Sequence, residues 1–366
     1  MTIDDIALTF VERLSPRTIK HLIECFGSAE AIFAATEEEL VEQAELRPEP
    51  ARAIVSRAAH SRAEEELRFL QKSGLKAVAA TDDDYPALLA ECPDNPHVIY
   101  VSGEVAALKR PLLSMVGTRE VTSYGLSMCD KLVSRMAELV PDMAIVSGLA
   151  YGVDVACHRA ALQFGLPTIA VLANPLTHIY PAFHTDIARE MLRKGGAIVS
   201  ENPSGGAVTK NSFLARNRIV AGLSKGTVVV ESPPHGGSLS TAEHVTDYDR
   251  SLMAAPGRAT DWASSGCNYL IKSMRAQMVC TGDDIVMELG FKGVDFSRRR
   301  AAPEDTTPTS DAQREIVRLL KEHDRLGSEE IVARSGLDFQ EVYTALFELE
   351  CAGAIRISGG KYERCK

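Results

Sequence analysis

Between residues 111 and 280 the chain alternates short apolar runs with longer amphipathic stretches. The runs are Leu112–Val116, Met143–Val146, Thr168–Leu172, Ala197–Val199, Thr227–Val230 and Leu252–Ala254, with Gln277–Val279 as a candidate seventh. Each is apolar nearly throughout rather than alternating. That is the signature of a strand buried on both faces of a parallel sheet. With amphipathic segments between most of them, the pattern predicts a doubly wound α/β domain with a mostly parallel sheet.

The two ends carry other periods. In Leu14-Ser15-Pro16-Arg17 a capping serine precedes a proline at the first helical position. Ile19, Leu22, Ile23 and Phe26 follow at helical spacing, and Gly27 ends the turn. Thr36 and Glu39 stand in capping-box spacing before a second unit that runs to Gln43. Residues 1–80 therefore read as a small helical domain, an interaction or packing module. At the other end, Ala312–Leu320, Glu329–Arg334 and Phe339–Ala352 predict three helices. A hairpin with a Gly-Gly turn follows from Ala354, which completes a winged-helix pattern over 311–366. The polar, proline-containing stretch 298–310 is the linker, leaving 81–297 for the α/β domain. The third of these helices carries Glu341, Glu348 and Glu350 and no Arg or Lys, which favours protein contact over duplex DNA.

Composition narrows the class. At 366 residues, 45% apolar and 25% charged, the chain is an ordinary globular protein, not a disordered one. Its eight cysteines form no C-x-x-C pair, so a reducing cytoplasm is expected rather than a disulfide framework or a zinc site. The start MTIDDIALTF lacks the regions of a signal peptide, and the longest uncharged run, Ala160–Thr185, contains three prolines, so no membrane association is expected. The net charge of −10 excludes a wholly basic coat protein but not a local basic groove. Residues 193–225 supply one: Arg193, Lys194, Lys210, Arg216, Arg218 and Lys225 against the single acid Glu201.

In an open parallel sheet the ligand lies beyond the carboxyl ends of the strands. Those ends read Gly117-Thr118-Arg119, Ser147-Gly148-Leu149-Ala150-Tyr151-Gly152, Ala173-Asn174-Pro175, Ser200-Glu201, Ser232 to Gly236-Gly237-Ser238, and Pro256-Gly257-Arg258. Glycine turns bring backbone N–H groups close to a ligand, and the helix that follows adds positive potential, so phosphate is the shared preference. Neither G-x-G-x-x-G nor G-x-x-x-x-G-K-[ST] is present, so no NAD or ATP cofactor is expected. On a helix, Phe213 shares a face with Arg216 and Asn217, next to Lys210 and Arg218: a stacking ring among cations, as a single-strand site requires. The alternative is that Phe213 packs in the core while the arginines cap carboxylates such as Glu201. Ser147, Asp154 and His158 could form a hydrolytic trio, but Asp154 is explained as a first-turn helix acid.

Several longer motifs then point to one family. They include Tyr85-Pro86, the SMVGTREVTSYG of 114–125, the IVSGLAYGVDVACHRAAL of 145–162, Ile179-Tyr180-Pro181, the FLARNRIVAGLS of 213–224, the GGSLSTAEH of 236–244 and the APGR of 255–258. Together they resemble the bacterial DNA-processing DprA (Smf) family. The resemblance implies a Rossmann-like sheet, a helix-hairpin-helix or SAM-like N-terminal domain and a C-terminal winged helix. It also implies single-stranded DNA binding, RecA loading in natural transformation, a homodimer, and no catalytic activity. Carried over onto this chain, Arg119, Ser147, Gly148, Lys210, Phe213, Arg216 and Asn217 match the family's DNA pocket. With Gly117, Ala150, Gly152, Arg218, Gly236, Gly237 and Ser238 from the strand ends and the basic segment, they are the expected DNA and phosphate contacts. Two places depart from the family pattern: Ala173-Asn174-Pro175 where a Gly-x-Gly or Cys-Gly turn is usual, and Val245 to Arg250. The rival reading is a phosphoribohydrolase-like nucleotide hydrolase, whose Pro-Gly-Gly-x-Gly-Thr turn and catalytic Glu correspond here to Pro234 through Glu243 with one glycine fewer.

Overall fold

The computed structural model describes residues 1–297, 310–351, 354–358 and 360–364, without the side chains of Lys210, Cys351, Arg356 and Ser358. Residues 298–309 of the predicted linker and Ala352 lie outside the described residues, while Ser310 caps the helix Asp311–His323. The described chain divides into two compact units, one within residues 1–297 and one from residue 310 onward.

The first unit is built on a nine-stranded sheet: β1 (Lys76–Ala79), β2 (Val98–Gly103), β3 (Leu112–Gly117), β4 (Ala144–Ser147), β5 (Thr168–Val171), β6 (Ala197–Ser200), β7 (Gly226–Glu231), β8 (Ser251–Ala254) and β9 (Gln277–Met278). The order is β1-β2-β6-β5-β4-β3-β7-β8-β9. From β6 to β9 every pair is parallel, while β2 runs antiparallel to both β1 and β6. Strands β3 to β9 coincide with the seven apolar runs, and β3 to β8 alternate their side chains between two buried faces, whereas both residues of the two-residue β9 are exposed. In β3, Leu113 and Met115 pack with the helices Ser123–Leu139, Val153–Gln163 and Gly282–Leu289. Leu112 and Val116 pack on the other side with Lys210–Leu223, Ser238–Asp247 and Ser265–Lys272. The α/β, doubly wound expectation therefore holds.

The first two strands were not anticipated. β1 lies inside the segment read as purely helical, and the sheet begins at Lys76 rather than after residue 81. In β2 the residues alternate between two cores: Ile99 and Val101 join the sheet core, whereas Val98 and Tyr100 join the core of the N-terminal helices. Six helices spanning Ile3–Phe10 to His60–Ser73 pack Ile6, Leu8, Leu22, Ile32, Leu40 and Ile54 against that face. The predicted caps form. Ser15 accepts from the Thr18 N–H, Gly27 turns at φ +84°, and Thr36 and Glu39 bond reciprocally. The bundle thus shares one compact unit with the sheet instead of standing apart.

Two buried acids tie bundle to sheet. Glu66 accepts from both the N–H and the hydroxyl of Ser204, just past β6. Asp5 accepts from His97 Nε2 at 2.9 Å, immediately before β2, and from the N–H and hydroxyl of Thr2. Burial opposes ionisation of Asp5, but the bonds from His97 and Thr2 outweigh it and hold its carboxyl below the usual carboxylate range.

The second unit packs the helices Asp311–His323, Ser328–Ser335 and Phe339–Cys351 around Ile316, Leu320, Ile331, Val342 and Leu346. A three-stranded sheet, β10 (Arg325–Leu326), β12 (Lys361–Arg364) and β11 (Ile355–Ser358) in that order, completes the winged helix. Only the two-residue β10 is added to the expected elements. No helix among the described residues is long and apolar enough to cross a membrane.

Asp5→Ala should destabilise the first unit by about 1–3 kcal/mol at neutral pH, because His97 loses its buried acceptor. An acid whose folded pKa is depressed stabilises above its unfolded pKa, about 3.9, and the benefit fades as pH falls through the folded value. Denaturant titrations of both proteins should therefore converge below about pH 4. A constant gap down to pH 2 would contradict the ionic part of this contact.

Candidate nucleic-acid interface

The sheet reverses its winding at β3. The chain moves one way through β4, β5 and β6, then returns to β7 on the other side. Loops diverging from adjacent strand ends leave a crevice there. It holds a cleft of about 520 Å³, bounded by the turns after β3, β4 and β7 and by one face of the helix Lys210–Leu223.

The β3 turn is clamped from below. Thr118 donates its N–H to the Glu231 carbonyl, and the buried Glu231 carboxylate accepts from the N–H and hydroxyl of Thr122, the cap of helix Ser123–Leu139. Gly152, at φ +76°, lets the β4 turn cross this one: a Cβ there would lie 2.2 Å from the Thr118 carbonyl oxygen. Arg119 is thereby held at the cleft mouth, exposed, with its guanidinium carbon 5.8 Å from the centre of the Phe213 ring. No acid pairs with Arg119 among the described residues. Phe213 is half-buried and its ring also meets Tyr180 at 5.7 Å.

Arg216, one turn further along the helix, has a different role. It is buried and donates from Nη1 to the carbonyls of Gly148 (2.8 Å) and Val171. A Cβ on Gly148 would come within 2.2 Å of that nitrogen, so the glycine makes room for the guanidinium. Burial pushes the Asp154 carboxyl up while the charge of Arg216 draws it down. Asp154 also accepts from the Ala150 N–H. Arg216 therefore forms the floor of the cleft, with Nη1 committed to the protein rather than to a ligand.

On the far wall, Asn217 reaches the Gly237 carbonyl at 3.4 Å, and the Ser238 hydroxyl bonds that of Ser232. The helix Ser238–Asp247 begins here with no side chain capping it, although Leu239 gives its N–H to the Gly236 carbonyl, so the positive end of the helix faces the cleft. A Cβ on Gly236 would strike the Ser232 hydroxyl at 2.4 Å, whereas nothing lies within 4 Å of one on Gly237.

Of the expected contacts, Gly117, Arg119, Gly148, Ala150, Phe213, Arg216, Asn217, Gly236, Gly237 and Ser238 line this cleft together. Three do not. Ser147 is fully buried and donates to the Met115 carbonyl. Gly152 serves the crossing of two turns. Arg218, on the opposite helix face, is buried against Glu201 and the Asp94 carbonyl. That is the carboxylate-capping alternative, realised for this arginine alone. The Lys210 side chain lies outside the described residues. The hydrolytic trio does not assemble either. His158 is fully buried on the Thr168 hydroxyl, and burial, helped by His184 and Arg216, lowers its pKa to about 3.

Other lining residues were missed. Thr118 and Glu120 sit in a turn already singled out, and their neighbours gave the signal. Trp262, 68% exposed, is the only tryptophan of the chain and follows the Pro256-Gly257-Arg258 strand end. An isolated tryptophan just beyond a glycine-bearing strand end was the available clue.

Comparison with known proteins agrees with this architecture. The family model described as DNA recombination-mediator protein A matches residues 76–290, and that of the DprA winged helix domain matches 300–361. Protein Smf of Escherichia coli is 35% identical over 312 residues, which cover 83% of this chain and 81% of that protein. DNA processing protein DprA of Streptococcus pneumoniae is 36% identical over 210 residues, covering 57% of this chain and 73% of that one. The X-ray structure of DprA from S. pneumoniae superposes with a TM-score of 0.69 at 30% identity, over 80% of this chain and 99% of that chain. A structure of DNA processing protein A from Helicobacter pylori, described for its unique single-stranded DNA binding mode, gives a TM-score of 0.52 at 27% identity, over 59% of this chain and 95% of that chain. With the family model spanning the whole sheet and its site, and the winged helix matched beyond it, this chain belongs to the DNA recombination-mediator protein A family, the DprA or Smf proteins.

Proposed function

We propose that this protein binds single-stranded DNA in the cleft at the β3–β7 crevice and delivers it to the RecA recombinase during natural transformation. It would act in the cytoplasm, as a homodimer, without a cofactor and without catalysing a reaction. The observation that carries the DNA reading is the pairing of Phe213 with Arg119 at the cleft mouth. A half-exposed ring offers a stacking surface to any base, and a free guanidinium beside it attracts the adjoining phosphate. On the opposite wall the helix Ser238–Asp247, without a side-chain cap, adds the positive end of its dipole. The H. pylori relative described for its single-stranded DNA binding supports the same reading. RecA delivery, transformation and dimerisation rest on membership of the family.

The geometry separates ring, free cation and floor. Phe213→Ala should weaken binding of a short oligonucleotide by about 10- to 100-fold and leave its salt dependence nearly unchanged. Arg119→Ala should weaken binding and flatten the slope of log affinity against log salt by about 0.7. Fluorescence anisotropy across a salt series reads both, and equal slopes for wild type and Arg119→Ala would remove the arginine from the phosphate path.

Arg216→Ala should instead act on folding, because it leaves Asp154 buried without its cation. A loss of about 3–5 kcal/mol in denaturant melts is expected. A fully stable Arg216→Ala protein with impaired DNA binding would show that the guanidinium serves the ligand after all.

A further inference from the structure

Beyond the Phe213 side of the cleft, three exposed aromatics come from two different turns: Tyr151 after β4, and Tyr180 and Phe183 after β5. They are 49%, 54% and 80% exposed, although each is large enough to be worth burying. Their positions are fixed from beneath. Tyr151 and Phe183 both meet His184, with ring centres 5.0 and 6.2 Å away. His184 is buried and donates from Nδ1 to the Leu149 carbonyl. The neighbouring turn, Ala173-Asn174-Pro175, is equally held. The buried Asn174 amide donates to the carbonyls of Pro175 and His178, and Ser200 and Asn202 donate to the carbonyls of Asn174 and Ala173.

Between these turns lies a dimple of about 50 Å³, edged by Tyr151, Tyr180, Ala173 and Asn174. Arg119, Gly148, Ala150, Phe213 and Arg216 line both it and the main cleft, so the two are continuous. The dimple has room for a water molecule or two, not for a base. A planar group would therefore lie across its mouth against the tyrosine rings.

Resting on the single-stranded DNA reading above, we infer that the Tyr151–Tyr180 shelf is a second base platform. It takes the nucleotide next to the one stacked on Phe213, with Arg119 on the phosphate between them. A duplex cannot use two such platforms, because its bases face each other. The shelf would therefore favour extended, unpaired strand. A partner protein would also prize exposed aromatics, but continuity with the cleft through Arg119 and Phe213 favours the strand.

An abasic walk tests this. Oligothymidylates of about a dozen nucleotides, each lacking one base, are titrated by anisotropy against wild type, Tyr151→Ala and Tyr151→Phe. Tyr151 is chosen because the ring that meets Phe213 is that of Tyr180, while Tyr151 packs on His184. Thermal melts confirm that the variants are folded. In the wild type, one abasic position beside the Phe213-dependent one should weaken binding by about 10-fold or more. Tyr151→Ala should weaken the intact strand by a similar factor and erase the sensitivity at that position alone. Tyr151→Phe should retain it, since the ring is kept. If the position stays sensitive in Tyr151→Ala, or only the Phe213-dependent position is ever sensitive, the second platform does not exist. If no position is sensitive and Phe213→Ala binds normally, the single-strand reading fails along with it.

Discussion

One buried guanidinium holds the candidate site together. Arg216 takes the carbonyls at the ends of two neighbouring strands, β4 and β5, from a helix that follows β6. It thereby joins three elements distant in sequence at the point where the ligand turns emerge. A buried charge is expensive unless fully partnered. The glycine at 148, the acid at 154 and the order of the strands are the conditions under which this one is tolerated. The side effect is a positive potential beneath a cleft whose rim still has Arg119 to spare for a ligand.

Three arginines thus share a small region and divide the work by exposure. Arg218 balances Glu201 on the far side of its helix, Arg216 supports the floor, and Arg119 faces outward. In the sequence all three look alike. Spacing could place Phe213, Arg216 and Asn217 on one helical face, and they do share it. It could not say that Arg216 lies too deep to reach a phosphate, because depth depends on the crossing of a helix over strand ends remote in sequence.

The sheet was legible for the same reason that its arginines were not. Six strands, β3 to β8, buried on both faces leave continuous apolar runs, a local signal that needs no knowledge of neighbours. β1 is a four-residue edge strand that opens on exposed Lys76 and gives little signal, whereas β2 carries the same continuous run, Val98 to Val101, buried on both faces but outside the alternating stretch. The bundle's caps at Ser15 and Thr36 were readable as local hydrogen-bond chemistry. Its attachment through Asp5 and Glu66 was not, since the partners lie 92 and 138 residues away.

The glycines around the cleft belong to two kinds. At 148 and 152 a methyl group would collide with protein atoms, so folding alone demands their absence of a side chain. Gly237 is the other kind: its backbone, at φ −60°, suits any residue, and open space surrounds it. Nothing in the fold requires glycine at 237. A side chain there would enter the open cleft and not the protein, so the bare main chain at this position keeps the wall clear. The same position can carry a small thiol for a dye or a crosslinker, placing a reporter on the cleft wall without disturbing the protein's own packing.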